Sequence, residues 1–293
     1  MTLPTTEDRD PLSIGLSNRS DEEVLSLLLE RQMEALRAVG PALPQLVNAA
    51  TALQKAAQAG NKIGYSGAGS AGLTALSDCL ELPGTFGFPA DRMCMLYAGG
   101  VENLLHLAGT HEDDIALGIR DFDQSGLGEG DVLIGVSASG TTPYTLGTFK
   151  AAAKAGTVTI AIVNNPGTPL QEHSNFPVFL NTPVEIIAGS TRMGAASAQK
   201  AALNMISTLV ALRLGHAVRG HMVNLVADNE KLRSRAQRML QDLTGCAEET
   251  AANALIQANG RVKVATVMIR EGVNANKAED ILKKYDGNLR PLL

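Results

Sequence analysis

The stretch that decides the fold is Asp131-Val-Leu-Ile-Gly-Val-Ser-Ala-Ser-Gly-Thr-Thr142. It opens with a run of apolar and small residues, which is typical of a strand buried on both faces of a parallel sheet. Four hydroxyl side chains then surround Gly140, and a helical pattern continues to Ala155. The stretch therefore predicts a strand that turns into a helix through a hydroxyl-rich loop.

Further apolar runs lie on both sides of this stretch, with helical patterns between them. The five predicted strands cover residues 62–67, 93–98, 131–137, 157–163 and 176–180. Pro177 places the last strand at an edge, because proline cannot donate a ladder hydrogen bond. Alternating strands and helices predict an α/β fold, a three-layer αβα sandwich around a mainly parallel sheet.

The helical patterns divide the chain into three predicted parts. Residues 1–45 read as an N-terminal arm and helix, residues 46–243 as the α/β domain, and residues 244–293 as a small C-terminal subdomain of three helices. Other predicted helices cover residues 43–58, 70–82, 101–107, 142–155, 195–214 and 224–243.

Composition and charge exclude several classes of protein. The formal net charge of −5 and the aromatic fraction of 3% argue against nucleic-acid binding. No apolar run is long enough to span a bilayer, and the first ten residues do not form a signal peptide. We therefore expect a cytoplasmic protein. Its three cysteines follow no metal-ligand spacing, so no metal is predicted.

A first glycine-rich turn, Gly67-Ala-Gly-Ser-Ala-Gly72, matches the dinucleotide fingerprint G-x-G-x-x-G. That fingerprint also needs an acid at the end of the next strand, which here ends Leu96-Tyr-Ala-Gly-Gly100 without one. The turn is therefore interpreted as an anion site, where small residues such as Gly69 let main-chain N–H groups approach the ligand. Ser70 adds a hydroxyl donor.

The second turn is more specific. Ser137, Ser139, Thr141 and Thr142 suit a phosphate monoester, which offers many acceptor oxygens. The alternative is that these residues only cap the following helix, although one cap needs a single hydroxyl. Neither turn continues into Gly-Lys-Ser/Thr, so an ATPase or kinase is not indicated.

The second turn resembles the S-x-S-G-x-T loop of sugar-isomerase (SIS) domains, which holds the phosphate of a phosphosugar. Further blocks in the same order resemble the N-acetylmuramic acid 6-phosphate etherase family, which is related to the glucokinase regulatory protein. They are 67–72, 81–87, 98–100, 112–113, 138–144, 189–193, 198–200, 203–208 and 229–232. The likeness extends from about Thr6 to the C-terminal helices.

The resemblance implies an elimination followed by a hydration, which cleaves the lactyl ether at C3 of the sugar without a cofactor. It assigns Glu81 as the acid that assists lactate departure and Glu112 as the base that removes the C2 proton. From the residues alone, Glu112 also fits a solvated face, because it lies in the acidic run Glu112-Asp-Asp114. Members of this fold commonly pair, so a homodimer is expected, with the Ala-rich helix 195–214 as a plausible contact.

Other residues near these blocks are candidates for the site. Ser190 and Arg192 lie in a small, hydroxylated segment, and Lys200 is a second cationic candidate. His106 and His111 lie close to Glu112 in sequence, but a lone histidine is more often structural. Glu185 matches an acid of the family whose role the sequence does not explain.

The chain departs from the family in its basic residues. Leu73 and Thr141 replace two arginines, and Gly194 replaces a lysine. Arginine pairs with carboxylate or phosphate in a bidentate way that leucine and threonine cannot copy. These departures leave open a divergent paralogue, which acts on another phosphosugar ether or is a weaker etherase, although both glutamates are retained. Two rival functions also stay open: a non-catalytic phosphosugar-binding regulator, and a phosphosugar isomerase.

Overall fold

The computed structural model describes residues 5–107, 109–227 and 229–293. Its sheet has five strands in the order β2-β1-β3-β4-β5, and every neighbouring pair is parallel. The strands are β1 (Ile63–Gly67), β2 (Met93–Tyr97), β3 (Val132–Ser137), β4 (Val158–Val163) and β5 (Phe176–Phe179). The predicted strands, the edge position of β5 and the parallel sheet are confirmed.

Eleven α-helices occur in the described residues. They are α1 (Asp21–Arg37), α2 (Leu43–Ala59), α3 (Gly69–Phe86), α4 (Ile115–Ser125), α5 (Pro143–Ala155), α6 (Pro169–Glu172), α7 (Gly194–Arg213), α8 (Glu230–Thr244), α9 (Glu248–Gln257), α10 (Val262–Glu271) and α11 (Ala275–Lys283). Helices cover both faces of the sheet, which confirms the αβα sandwich with a helical C-terminal region.

Four details differ from the sequence prediction. The helix predicted before Leu107 is a 3-10 turn, Val101–Leu104, and the helix α4 was not predicted. The helix α3 continues through Pro83 to Phe86, because a proline removes one helical hydrogen bond without ending every helix. The helix α8 begins after Asn229, whose side chain accepts a hydrogen bond from the Leu232 N–H as an N-cap.

Alternation along the central strands sends side chains to both faces of the sheet. On one face, Leu133 of β3 packs with Phe122 of α4 and Phe149 of α5. Gly135 makes room for this contact, because a methyl group there would lie 2.2 Å from the Phe149 ring. The intervening residue Ile134 is fully buried as well. The strands are therefore covered on both sides, as their unbroken apolar runs indicate.

The helices α4 and α5 approach each other closely because each carries a glycine at the crossing. A methyl group at Gly118 would lie 2.1 Å from the Tyr144 carbonyl oxygen, and one at Gly147 would lie 2.3 Å from the Ile115 carbonyl oxygen. No side chain larger than hydrogen fits at either position without a shift of the backbone. This contact holds the start of α5 next to the segment that precedes α4.

The residues that the structure describes form two compact units. The first comprises residues 1–79 and 91–206 and contains the sheet, and the second comprises residues 80–90 and 207–293. In the second unit, α8, α9, α10 and α11 share one core around Leu240, Ala265 and Leu289. The predicted boundaries at 1–45, 46–243 and 244–293 remain a prediction.

The described helices do not meet the requirements of a membrane span. Within residues 5–107, 109–227 and 229–293, none is both long enough and apolar enough to cross a bilayer.

Candidate active site

The hydroxyl-rich loop 137–142 is held together by hydrogen bonds among its own residues. Ser137 Oγ lies 2.8 Å from Thr142 Oγ1 and accepts a bond from the Gly140 N–H at 3.0 Å. Ser139 Oγ accepts bonds from the N–H and the hydroxyl of Thr141, at 3.2 and 3.1 Å. Ser137 is buried, whereas Thr141 is exposed. The inner hydroxyl therefore shapes the loop, and the outer hydroxyls remain accessible.

These hydroxyls do not serve as helix caps. Thr142 is the N-cap residue of α5, but its side chain makes no capping hydrogen bond. Pro143 occupies the first helical position, where a missing N–H costs no helical bond. The capping alternative therefore does not account for the four hydroxyls, and a phosphate-binding loop remains the better interpretation.

Gly140 is required by the shape of this loop. Its φ angle is +69°, in the left-handed region that favours glycine. A methyl group there would lie 2.3 Å from Thr168 Oγ1, and the Gly140 carbonyl accepts a bond from the Leu170 N–H at 3.1 Å. The loop is thus locked against the start of α6.

Glu112 lies between the two glycine-rich turns. Its carbonyl oxygen accepts a hydrogen bond from the Tyr144 N–H at 2.9 Å, in the first turn of α5. Its carboxylate lies against the other turn, since a methyl group at Gly69 would be 2.7 Å from Glu112 Oε1. Glu112, the base candidate, therefore lies next to both predicted anion sites.

The surroundings of Glu112 suit a proton acceptor. Burial raises the pKa of this half-buried carboxyl group above its ordinary value, and the neighbouring charge of Asp113 raises it further. A carboxylate with a raised pKa is a stronger base, which favours proton abstraction at neutral pH.

Tyr97 was missed by sequence reasoning. Its ring packs against Gly72, where a methyl group would lie 2.7 Å from Cε2, and its hydroxyl donates to the Gly69 carbonyl at 3.4 Å. Burial raises the pKa of its phenol, and the charge of Glu112 raises it further. Tyr97 thus packs under the first turn on the Glu112 side. Its position at the carboxyl end of β2 was the available signal, because ligands bind at that edge of a parallel sheet.

The geometry at Gly69 leads to a testable prediction. In Gly69→Ala, the new methyl group is expected to displace the carboxylate of Glu112, the base candidate, and thereby to reduce turnover by about 100-fold, the effect expected when a reacting group moves by about 1 Å. Turnover is measured under saturating substrate. The matched control is Gly245→Ala, which lies in the left-handed region with a φ angle of +73° and has no atom within 4 Å of the added methyl group. Equal losses in the two variants would show that backbone strain alone is responsible.

Ser190 and Arg192 lie in the segment that leads into α7. Gly189 has a φ angle of +73°, and tight turns follow it, so that the Thr191 N–H donates to the Gly189 carbonyl at 2.9 Å. Ser190 is half-buried and Arg192 is exposed. The role of Glu185 is now clear: its two carboxylate oxygens accept bonds from the N–H groups at the start of α7, at 3.0 and 2.9 Å.

The N-terminal arm connects this segment to the hydroxyl-rich loop 137–142. The Thr6 carbonyl accepts a bond from the Gly189 N–H at 3.1 Å. The Asn165 side chain accepts from the Thr6 N–H at 3.3 Å and donates to Thr6 Oγ1 at 2.9 Å and to the Ala138 carbonyl at 3.0 Å. Thr6 and Asn165 are both buried. The arm, for which the sequence predicted no contact, therefore helps to support the loop.

Lys200 belongs to a polar chain and not to the hydroxyl-rich loop. Its Nζ donates to Asn204, which donates to Asp78 Oδ1 at 2.8 Å. Asp78 Oδ2 accepts a bond from the Tyr65 hydroxyl at 2.8 Å. Asp78 lies on α3, so this chain fixes α3 against α7 and β1.

Glu81 is exposed on α3 and belongs to the second compact unit. Within that unit, the end of α3 is pinned by the segment after residue 223. Asn224 Nδ2 donates to the Phe86 carbonyl at 2.9 Å, and the Val226 N–H donates to the Gly84 carbonyl at 3.2 Å. The helical turn that carries Glu81 and Pro83 is therefore anchored from its C-terminal side.

The two histidines behave differently. His111 is half-buried and its ring contacts Gly99, where a methyl group would lie 2.5 Å from Cδ2, whereas His106 is exposed. Among the residues that the structure describes, no three histidine, cysteine or acidic side chains cluster closely enough to hold a metal ion.

The three departures from the family pattern differ in their surroundings. Leu73 is 38% exposed and Thr141 is exposed. Gly194 is buried, and a methyl group there would lie 3.1 Å from Ala35 Cβ and 3.2 Å from Glu185 Oε2. A lysine does not fit at that position unless Ala35 and Glu185 move.

Comparison with known proteins adds a full-length match. The protein is 40% identical over 294 residues to a protein of Deinococcus radiodurans named N-acetylmuramic acid 6-phosphate etherase, covering 100% of this chain and 96% of that protein. A protein of the same name from Rubrobacter xylanophilus is 38% identical over 273 residues, covering 93% of this chain and 91% of that protein.

A SIS-domain family model matches residues 31–164. Among solved structures, a phosphoheptose isomerase from Francisella tularensis superposes with a TM-score of 0.52 at 18% identity, covering 66% of this chain and 100% of that one. At this identity the likeness establishes the fold.

Proposed function

Because the chain belongs to the N-acetylmuramic acid 6-phosphate etherase family, we propose that it cleaves the lactyl ether of N-acetylmuramic acid 6-phosphate. The products are N-acetylglucosamine 6-phosphate and D-lactate. The observation that supports this proposal best is the position of Glu112, whose main chain is bonded to the start of α5 and whose carboxylate lies on the turn at Gly69.

The hydroxyl-rich loop 137–142, here called the phosphate loop, anchors the substrate. Hydroxyls of Ser139, Thr141 and Thr142, with main-chain N–H groups of the loop, bind the phosphate monoester, and Ser137 keeps the loop in shape. Ser70 and the turn at Gly69 contribute donors on the other side. Anchoring the phosphate presents the C2 hydrogen of the open-chain sugar to the neighbouring carboxylate.

Glu112 acts as the general base. It takes the C2 proton, which the C1 aldehyde makes acidic, and the C–H electrons form the C2–C3 double bond as the C3–O bond breaks. Glu81 acts as the general acid and gives a proton to the departing lactate oxygen. Water then adds across the double bond, its oxygen to C3 and a proton to C2, and both carboxyl groups return to their starting states.

Arg192 is proposed to pair with an anionic group of the substrate. It is the arginine that remains in the Gly189–Met193 segment, while Leu73 and Thr141 stand at positions where the family has arginine. The guanidinium is exposed, with no hydrogen bond or ion pair to the residues that the structure describes, and bidentate pairing with the lactyl carboxylate suits its planar shape.

Release of D-lactate is the direct test. We expect the purified protein to release one D-lactate per N-acetylmuramic acid 6-phosphate, and Glu81→Gln to lower the rate by about 100-fold or more, since an amide cannot give up a proton. Lactate is measured with a coupled D-lactate dehydrogenase, and the sugar product by chromatography.

The matched control is Glu271→Gln, which neutralises an exposed acid at the end of α10. Phosphosugar binding without lactate release in the unaltered protein would favour the regulator, and interconversion of phosphosugars without lactate would favour the isomerase. Either result contradicts the etherase proposal.

The protein is further proposed to act as a homodimer in the cytoplasm. A phosphorylated sugar carries charge that prevents it from crossing a bilayer unaided, so the enzyme and its substrate share a compartment. An apolar surface on α1 supports the homodimer.

A further inference from the structure

The helix α1 exposes a row of large apolar side chains. Leu25, Leu29, Met33 and Leu36 have exposed fractions of 66, 62, 45 and 45%. Their spacing of four, four and three residues places them along one face, which is here called the α1 stripe. Within α1, all of which the structure describes, the buried residues are Leu27 and Ala35, on the opposite side.

The α1 stripe is unusual for a surface. Scattered apolar side chains are normal on a protein surface, but contiguous rows mark interaction sites. The next helix continues the feature, because Leu43 and Val47, four residues apart on α2, are exposed by 46 and 44%. By contrast, the apolar residues of α7 are largely buried within the chain, for example Leu203, Ile206 and Val210. The expected contact through α7 is therefore not favoured.

We propose that the α1 stripe is the surface through which two copies of this chain pair, with their α1 helices antiparallel across a two-fold axis at Leu29. This inference rests on the homodimer proposed above and assigns its interface. A two-fold interface must be self-complementary, and a row centred on Leu29 meets this condition. In this arrangement Leu29 meets its own copy, and Leu25 of each chain meets Met33 of the other.

Charge selects the antiparallel direction. The first turn of α1 carries three acids, Asp21, Glu22 and Glu23, and its last turn carries Arg37. At 100° per residue, Glu22 lies on the same flank of the α1 stripe as Arg37. Antiparallel pairing about Leu29 therefore places Glu22 beside Arg37 of the other chain at both ends, whereas parallel pairing places acids against acids. In the antiparallel arrangement the positive N-terminal end of each α1 dipole also lies beside the negative C-terminal end of the other, which is favourable. A second copy is therefore the occupant that the charges of this surface fit.

The first test is the oligomeric state in solution, measured by light scattering and sedimentation. We expect the unaltered protein to be a dimer, and Leu29→Glu to raise its dissociation constant by at least about 100-fold, because the axis then buries two carboxylates and loses two leucines. The control is Ile256→Glu on α9, where the side chain is 74% exposed and outside the stripe. A monomeric unaltered protein, or a dimer that survives Leu29→Glu, overturns the proposal.

The second test locates the axis by crosslinking. Under mild oxidation, Leu29→Cys is expected to form a disulfide between chains, because position 29 faces itself. Leu25→Cys is expected not to, since the two copies of position 25 lie eight residues apart along the paired helices, about 12 Å, beyond the reach of a disulfide. Crosslinking of Leu25→Cys but not of Leu29→Cys overturns the proposed axis.

The third test uses charge exchange and separates this inference from the enzymatic proposal. Glu22→Arg and Arg37→Glu are each expected to weaken the dimer several-fold, and the double variant to restore it. Failure of restoration contradicts the antiparallel arrangement. D-lactate release is measured in parallel: a protein that dimerises as described but releases no lactate overturns the function alone, and an active protein whose dimer ignores these changes overturns the interface alone.

Discussion

Replacing Glu112 by glutamine is expected to reduce kcat by about 10²–10⁴-fold while phosphosugar binding persists. The amide keeps the size of the side chain against Gly69, and the main-chain bond to Tyr144 is unaffected, so the phosphate loop keeps its shape. The loss therefore reports the missing proton acceptor. Turnover is measured by D-lactate release, and binding by calorimetry with the intact substrate.

The control for this variant is Glu102→Gln, which removes an exposed acid ten residues earlier in the chain. Unchanged turnover in Glu112→Gln would contradict the assignment of the base. Loss of binding together with turnover would instead place Glu112 among the residues that support the loop.

The pH dependence gives an independent check on the base. Since the pKa of Glu112 is raised, activity is expected to fall as pH drops through that raised value. Asp113→Asn removes one cause of the increase in pKa and is expected to move the acid limb of the activity profile to lower pH.

The raised pKa of Glu112 also affects stability, because the folded protein binds this proton more readily than the unfolded chain does. The resulting cost in stability is absent below the ordinary value of 4.5, grows as pH rises toward the folded pKa, and persists above it. At pH 7, Glu112→Gln is therefore expected to melt no lower than the unaltered protein.

Replacing Gly140 by alanine is expected to abolish measurable phosphosugar binding at millimolar concentration. The left-handed φ angle costs about 1–2 kcal/mol for alanine. The methyl group at 2.3 Å from Thr168 Oγ1 adds about 1–3 kcal/mol of overpacking, which the loop relieves only by moving away from α6. Such a movement breaks the bond between the Gly140 N–H and Ser137 Oγ. Binding is measured by calorimetry and the free energy of unfolding by denaturant titration.

A control variant at a second glycine, Gly167, separates the effect of backbone strain from the effect of moving the loop. Gly167 has a similar φ angle of +63°, but nothing lies within 4 Å of an added methyl group. Gly167→Ala is therefore expected to lose about 1–2 kcal/mol of stability and to keep its affinity. Retained affinity in Gly140→Ala would show that the loop tolerates this displacement and would contradict its role in holding the phosphate.

The sheet was predictable from sequence because strands buried on both faces appear as unbroken apolar runs, such as Val132–Ser137 and Val158–Val163. The helix α4 was not, because Gly118 lies in its interior and glycine is a poor helix former. Its helical state depends on tertiary packing, since Gly118 and Gly147 allow α4 and α5 to meet. Helix propensity depends only on the residues of one segment, so it contains no information about contacts with segments that are distant in sequence.

In the candidate site, too, local features were predictable from the sequence and features that depend on distant contacts were not. The phosphate loop is local, and the four hydroxyls around Gly140 could be recognised in six consecutive residues. Glu112 could not be placed without the family resemblance, because its position depends on Tyr144 and Gly69, which lie 32 residues after it and 43 residues before it. Tyr97 escaped notice for the same reason, since its partner Gly72 belongs to another element.

The attachment of Thr6 to Asn165 has a consequence for how the protein is made. These partners are separated by 159 residues, and Gly189, which also binds Thr6, follows later still. During synthesis the N-terminal arm can bind Asn165 only after more than half of the polypeptide has been made. Contacts of such long sequence separation form slowly. We therefore infer that the phosphate loop acquires its final support among the last steps of folding.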